Sequence, residues 1–236
     1  MCGRYSISKI QKTIEKALND SMGASFTFDF LPVYNAAPSM GLPVIANESP
    51  NEIVPYRWGL IPFWAKDEKI GYKMINARRE TLLEKPSFKT SARKKRCLVL
   101  ADGYYEWQKL PDKKTKQPYR IQPTDQDLFA FAGIWDEWHD KQTGEVVRSF
   151  SVITTQPPEN IAHIHDRMPV ILEADHQEAW LSDSLKDDDI QALLDGYKGD
   201  KMDFYAVSTE VNSPSNNTES VIEPVKEQGG EQASLF

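Results

Sequence analysis

Cys2 stands directly behind Met1. A methionine ahead of a small residue is ordinarily removed, which leaves a cysteine carrying a primary amine and a thiol two carbons apart. The two groups titrate at about 8 and about 8.5, so both have reactive fractions near neutrality. Such a 1,2-aminothiol condenses with an aldehyde to an imine, and the thiol then closes a five-membered thiazolidine ring. Position 2 therefore points to covalent chemistry on a carbonyl. The opposing reading is a small buried hydrophobe, the usual fate of a cysteine. What weighs against it is the company the residue keeps.

That company is a set of short clusters: Met1-Cys2-Gly3-Arg4-Tyr5, Tyr34-Asn35-Ala36-Ala37-Pro38, Trp58-Gly59-Leu60-Ile61-Pro62-Phe63-Trp64, Asn76-Ala77-Arg78-Arg79-Glu80-Thr81, Gly103-Tyr104-Tyr105-Glu106-Trp107 and His165-Asp166-Arg167-Met168-Pro169. Most set a polar or charged residue near an aromatic, a glycine or a proline. In this order and spacing they resemble the SRAP family, the SOS-response-associated peptidases, also called abasic-site processing proteins. The resemblance runs from Cys2 to about Val207. It implies a DNA-damage protein that binds single-stranded DNA at abasic sites, where the N-terminal cysteine forms a thiazolidine with the ring-opened sugar aldehyde and shields the lesion. It also implies autoproteolytic removal of whatever precedes the cysteine. The expected class is a DNA–protein crosslinking enzyme with cysteine-type autopeptidase activity; whether a lyase activity accompanies it stays open.

The chemistry asks for particular side chains. Opening the hemiacetal needs a proton acceptor at the hydroxyl and a donor at the ring oxygen, and imine formation needs proton shuttling at the amine. The resemblance assigns Glu106 as acid and base at the Cys2 amine and sugar hydroxyl, and His165 as donor near the ring oxygen. Asn76 is expected to orient Cys2 and the sugar. Arg4, Arg78 and Arg167 suit phosphate oxygens, because guanidinium forks match them. Trp64 and Trp107 suit stacking on unpaired bases, and Pro38 and Met168 suit apolar contact at the lesion. No base-edge reader is evident, as fits a protein acting in any sequence context.

Other readings compete. Glu106 in an aromatic strand fits a structural ion pair, and His163 with His165 forms a spacing that metals use, though no third ligand is evident and neither a metal nor a cofactor is expected. Arg79 and Glu80 fit a surface pair, Trp135 and Trp138 fit the core and its rim, and Cys97 fits a buried, inert position. At the level of function, one rival is a cysteine peptidase acting on proteins, with Cys2 as nucleophile and His165 as base. A second is a non-covalent single-strand-binding module.

These side chains need a scaffold, and the sequence describes an α+β one. Ser6 to Asp20 has apolar residues at helical spacing. Asp29 to Pro43 is Pro-rich and reads as irregular. Short β-like runs follow at Ile53–Leu60, Cys97–Leu100, Tyr104–Gln108, Tyr119–Gln122, Leu128–Trp135, Val146–Thr155, Pro169–Leu172 and Asp203–Val207, with a hairpin tip at Lys141–Gly144. Glu159–Ile164, Asp175–Ser182 and Asp187–Leu194 read as helices. The strands lack the regular alternation of a parallel sheet. The expectation is a single compact domain over 2–208, with a curved, barrel-like, mostly antiparallel β core and flanking helices.

The net charge of −7 argues against nucleic acid until its distribution is read. Lys73 to Arg96 holds nine basic residues against two acidic ones, a DNA track or a solvated face. Within it, Lys94-Lys95-Arg96 is open to either reading. From Glu210 onward there are five glutamates and one lysine, so 209–236 reads as a disordered acidic tail. Its residues Gln232, Leu235 and Phe236 resemble the short peptide that bacterial repair proteins insert into the replication sliding clamp. Two cysteines exclude a disulfide framework, and no apolar run reaches membrane-spanning length. A cytoplasmic monomer, nucleoid-associated at replication forks, is the expectation.

Overall fold

The computed structural model describes residues 2–9, 13, 14, 16, 25, 26, 30–111, 115–195 and 201–225. In chain order the strands are β1 (Tyr5–Ile7), β2 (Ser25–Phe26), β3 (Val33–Ala36), β4 (Gly41–Ala46), β5 (Glu52–Trp58), β6 (Asn76–Arg78), β7 (Arg96–Ala101), β8 (Gly103–Lys109), β9 (Lys116–Pro123), β10 (Phe129–His139), β11 (Val146–Thr155), β12 (Met168–Pro169), β13 (Ile171–Leu172) and β14 (Met202–Ala206). The helices are α1 (Lys89–Lys94), α2 (Glu159–Ala162), α3 (Ala174–Leu181) and α4 (Asp187–Leu193), with 3-10 turns at Glu68–Lys73, Arg79–Thr81, Thr209–Asn212 and Glu219–Ile222.

The unbroken apolar runs become the walls of a barrel. All six residues of β7 are buried, as a continuous run requires when both faces are covered. β7 pairs with β10, β10 with β11, β11 with β5, β5 with β4 and β4 with β7, which closes a ring of five strands. Only the β11–β5 step is parallel among those five. Gly133 permits the close approach inside: a Cβ there would sit 2.7 Å from Cys97 Sγ. A second, antiparallel sheet runs β14-β9-β8-β1-β3. It packs on the barrel through aromatics, with Tyr5 5.1 Å from Trp58 and 5.7 Å from Phe131 between ring centroids. One residue, Asp102, separates β7 in the barrel from β8 in the sheet. It is buried against Arg120, with Oδ1 3.1 Å from the guanidinium.

The α+β class and the curved, mostly antiparallel core are as expected, but four local readings differ. Ser6 and Ile7 belong to β1, not to a helix, because pairing with β3 and β8 claims them; of the expected helix, Thr13, Ile14 and Lys16 are helical. The Pro-rich stretch from Asp29 to Pro43 contains β3 and the first half of β4. Pro43 faces Pro55, and pairing of β4 with β7 begins only at Val44, so the proline's missing N–H falls outside that ladder. Pro169–Leu172 splits into two short strands on different partners.

The fourth difference is at the end of the domain. The chain stays packed past 208 to Val225. Val211 and Val221 are fully enclosed, and Val207 bridges Pro224. Two valines that fill a groove beside Tyr105 outweigh the polar composition around them. Residues 226–236, including Gln232, Leu235 and Phe236, lie outside the described residues, as does Met1. Among the described residues no helix is long and apolar enough to cross a membrane.

Candidate functional site

Cys2 leads into β1, and its side chain is fully enclosed. Its Sγ lies 3.5 Å from the Arg4 carbonyl oxygen. Burial, and then the charge of nearby Glu106, push the thiol well above its usual range, so it is held protonated. Asn76 opens β6, which runs parallel to β11 with Asn76 beside Val152. Its Nδ2 donates to the Cys2 carbonyl at 2.7 Å. Its Oδ1 is buried with no hydrogen-bond partner among the described residues.

Glu106 sits within β8, opposite Tyr119 of β9, and is 2% exposed. Burial is the main cause, and Asp166 adds to it, of a carboxyl pushed up to about 7. A carboxyl so placed both gives and takes a proton near neutral pH. Its Oε2 is 3.8 Å from His165 Nε2. His165 lies in the loop between α2 and β12, and burial lowers its pKa. Its Nδ1 accepts from the Arg167 backbone N–H at 3.1 Å and lies 2.9 Å from Asp166 Oδ1. The amide requires a bare nitrogen and the carboxylate a protonated one. In the neutral ring the two contacts oppose each other: the amide favours the proton on Nε2, facing Glu106, and the carboxylate favours it on Nδ1.

The three arginines are placed differently from one another. Arg4 donates to Asn35 Oδ1 (2.7 Å), the Val211 carbonyl (2.6 Å) and the Asn212 carbonyl (3.1 Å). Arg167 forms a fork on Glu80, at 2.7 and 3.0 Å, and also donates to the Thr154 carbonyl at 2.5 Å. Arg78 is exposed and has no ion partner among the described residues. Trp107 is half-buried and donates from Nε1 to Asn212 Oδ1 at 2.7 Å. Trp64 is 48% exposed. Pro38 is half-buried after β3, and Met168 is buried in β12.

Cys2, Asn76, Glu106 and His165 are thus joined in one place by contact and charge, with Arg4 and Arg167 immediately behind them. Trp64 stands outside that cluster. Arg79 and Glu80 do not pair with each other: Arg79 pairs with Asp195 and Glu80 with Arg167. The Lys94–Arg96 run resolves in part as structural. Lys95 pairs with Asp136 at 2.7 Å, and the enclosed Arg96 donates to the carbonyls of Trp180, Ala92, Arg93 and Ser182. Cys97 is enclosed, and Trp135 and Trp138 are buried. His163 packs edge-on against Phe204, with ring centroids 5.2 Å apart.

Sequence reasoning missed the amides that organise this region. Asn35 donates from Nδ2 to the carbonyls of Val211, Ser213 and Asn216 at 3.2, 3.0 and 2.9 Å. Asn217 Oδ1 accepts from the backbone of Tyr34 and Asn35. The one sequence signal was three asparagines between 212 and 217, which in a polar run read as disorder.

Residues 1–214 match the SOS response associated peptidase (SRAP) family. The abasic site processing protein YoqW of Bacillus subtilis (strain 168) is 47% identical over 226 residues, covering 94% of this chain and 99% of the relative. The abasic site processing protein YoaM of the same organism is 46% identical over 226 residues, covering 94% and 98%. A crystal structure of a protein from Bacteroides thetaiotaomicron superposes with a TM-score of 0.84 at 32% identity, covering 95% of this chain and all of that one.

Proposed function

The chain belongs to the SOS response associated peptidase family, and from that premise we propose that it captures abasic sites in single-stranded DNA by covalent attachment through Cys2. The observation that carries this reading is the placement of Cys2. Its carbonyl is held by Asn76, and its thiol lies beside a carboxyl pushed up to about 7. The relatives named as abasic site processing proteins supply the substrate class.

The reaction begins with loss of Met1, which frees the Cys2 amine. A self-cleavage at that bond fits the peptidase in the family's description. The amine adds to the aldehyde carbon of the ring-opened sugar, and the resulting carbinolamine loses water to an imine. Cys2 sulfur then adds to the imine carbon as its proton passes to the nitrogen, closing the thiazolidine. Aldehyde and aminothiol thus yield the ring and one water. Glu106 carries protons to and from the amine and the departing hydroxyl, and His165 donates from Nε2 toward the ring oxygen. The unpartnered Asn76 Oδ1 is available to a donor on the sugar or the amine.

Ring closure also protects the strand. An imine acidifies the neighbouring sugar carbon and opens a lyase path by β-elimination, and thiazolidine formation removes that imine. The cysteine-peptidase reading is less well supported. The thiol is enclosed and held protonated, and His165 turns Nε2 toward Glu106 at 3.8 Å.

The same reading makes Arg78 and Arg167 phosphate contacts and Trp64 and Trp107 base contacts. It has the protein act as a monomer in the nucleoid, with Gln232, Leu235 and Phe236 docking on the sliding clamp. A pull-down in which removal of Leu235 and Phe236 leaves clamp binding unchanged would sink that last part. The central test is a denaturing gel of Met1-processed protein with a single-stranded oligonucleotide bearing one abasic site. A heat-stable shifted band is expected, and Cys2→Ser, which keeps the amine but not the thiol, is expected to lose it. No band from wild type refutes the covalent reading.

A further inference from the structure

Past β5 the chain forms a tip, Leu60-Ile61-Pro62-Phe63-Trp64-Ala65, that exposes two large rings. Phe63 is 62% exposed and Trp64 is 48% exposed. Adjacent apolar rings left in water mark a contact surface more often than an accident.

The backbone beneath those rings is fastened at nearly every step. Gly59 N donates to the Phe150 carbonyl (2.8 Å) and Leu60 N to the Met74 carbonyl (3.1 Å). Ile61 N donates to Ser149 Oγ at 2.8 Å, and Phe63 N to Asp136 Oδ2 at 2.9 Å. Beyond the rings, Trp138 Nε1 donates to the Ala65 carbonyl at 2.8 Å. Gly59, at φ +113°, lies so close to the Gly71 carbonyl oxygen that a Cβ would approach it to 2.7 Å. Asp136 is buried, and its other oxygen receives Lys95 Nζ at 2.7 Å and the Glu137 N–H at 2.9 Å. A buried carboxylate is costly unless fully partnered, and this one is committed to a loop amide.

We propose that Asp136, locked by Lys95, is a positioning residue that holds Phe63 and Trp64 as a rigid stacking platform for the unpaired bases beside the lesion. The inference rests on reading the site as one for abasic DNA. Three observations favour bases as the occupant. The root of the tip adjoins the segment that leads into Asn76, since Leu60 N donates to the Met74 carbonyl at 3.1 Å and Trp58 Nε1, just before the tip, to the Ile75 carbonyl at 2.9 Å. It is flanked by Lys66, Lys69, Lys73 and Arg78, all exposed and without an ion partner among the described residues, which suits the phosphates on either side of a stacked base. And stacking tolerates any base, as a lesion binder requires. A backbone already fixed loses little freedom on binding.

The test uses the full chain and two single-stranded oligonucleotides. One carries a tetrahydrofuran analogue of the abasic site, which has no aldehyde, with 2-aminopurine beside it as a stacking reporter. The other carries a true abasic site. Phe63→Ala and Trp64→Ala are each expected to weaken tetrahydrofuran-DNA binding by roughly 5- to 150-fold and to restore 2-aminopurine fluorescence. Asp136→Asn is expected to act in the same direction and to add little on top of Phe63→Ala. With the true abasic site it raises the DNA concentration for half-maximal crosslinking while keeping the rate at saturation. Lys95→Met, which leaves the carboxylate in place but unlocked, gives the same pattern more weakly and stands in should Asp136→Asn not fold.

Unchanged binding by the two ring variants overturns the inference and hands the rings to a protein partner. Full additivity of Asp136→Asn with Phe63→Ala, or a fall in the saturated rate alone, overturns the positioning role. Absence of wild-type crosslinking with the ring effects intact removes the covalent reading and keeps the platform.

Discussion

Replacing Glu106 by glutamine should make the protein more stable and less active, with the stability gain appearing only above a particular pH. In the fold this carboxyl is pushed up from 4.5 to about 7, mainly by burial. Raising an acid that far costs its ionised form about 3 kcal/mol. Between those two values the unfolded chain has released the proton and the folded chain still holds it, so the folded state binds more protons and stability falls as pH rises through the window. The penalty is absent below 4.5 and complete above 7. Glutamine keeps the shape and cannot ionise. At pH 8, Glu106→Gln should therefore exceed wild type by about 3 kcal/mol, or roughly 6–12 °C in melting temperature for a domain of this size. Near pH 4.5 the two should melt together. Over the same pair, the crosslinking rate at pH 7 should fall by about 10²- to 10⁴-fold, the usual worth of a proton shuttle. Thermal melts at the two pH values and a time course on denaturing gels measure both quantities. A Glu106→Gln protein less stable than wild type at pH 8, or equally shifted at both pH values, would refute the argument that burial poises this group.

Two further perturbations test the surrounding frame. Asn35→Ala removes the acceptor for Arg4 and the donor to three carbonyls of the 208–225 segment. At about 1 kcal/mol for each of these four bonds the loss should approach about 4 kcal/mol in urea denaturation, with new proteolytic cuts after Ser208; a loss well below about 1 kcal/mol would mean the segment is held by its valines alone. Glu80→Gln frees the Arg167 fork for a phosphate. Binding of single-stranded DNA should then tighten at low salt, and the slope of log affinity against log salt should steepen by about one phosphate's worth; an unchanged slope would show that Arg167 meets no phosphate.

The barrel was legible where neighbouring strands left no choice. The run from Cys97 to Leu100 is apolar throughout because both its faces are covered, and Val146–Thr155, rich in β-branched residues, forms a strand with the bounds its composition marks. β1 was not legible. Its apolar spacing fits a helix, and only its partners, β3 and β8, more than 25 residues away in sequence, decide otherwise. The same holds for Asn35 and Asn212. A polar residue in a polar segment carries no local sign that its amide will bridge two distant parts of the chain. Glu106 and His165 were found through the family's pattern, but their 3.8 Å separation and the Arg167 amide against the imidazole belong to tertiary structure. Arg4 and Arg167 show the limit most plainly: both are guanidinium forks within the family's motifs, yet one is committed to carbonyls and Asn35 and the other to Glu80.

The electrostatics of the proposed pocket impose an order on the chemistry. Burial and Glu106 hold the Cys2 sulfur protonated, and a neutral thiol adds poorly to a carbonyl and resists oxidation. The amine must also lose a proton before it attacks, and in the proposed reaction Glu106, whose carboxyl is poised near neutrality, accepts it. Nitrogen therefore attacks first. Once water leaves, the protonated imine places a positive charge next to the sulfur, which offsets the two effects that had kept the thiol from ionising. The sulfur becomes a nucleophile only when an electrophile is already attached to its own residue. In the proposed reaction, thiol burial, which looks like a defect in a peptidase, suits a one-use crosslinking group: the sulfur stays inert while free and closes the ring once a lesion is bound.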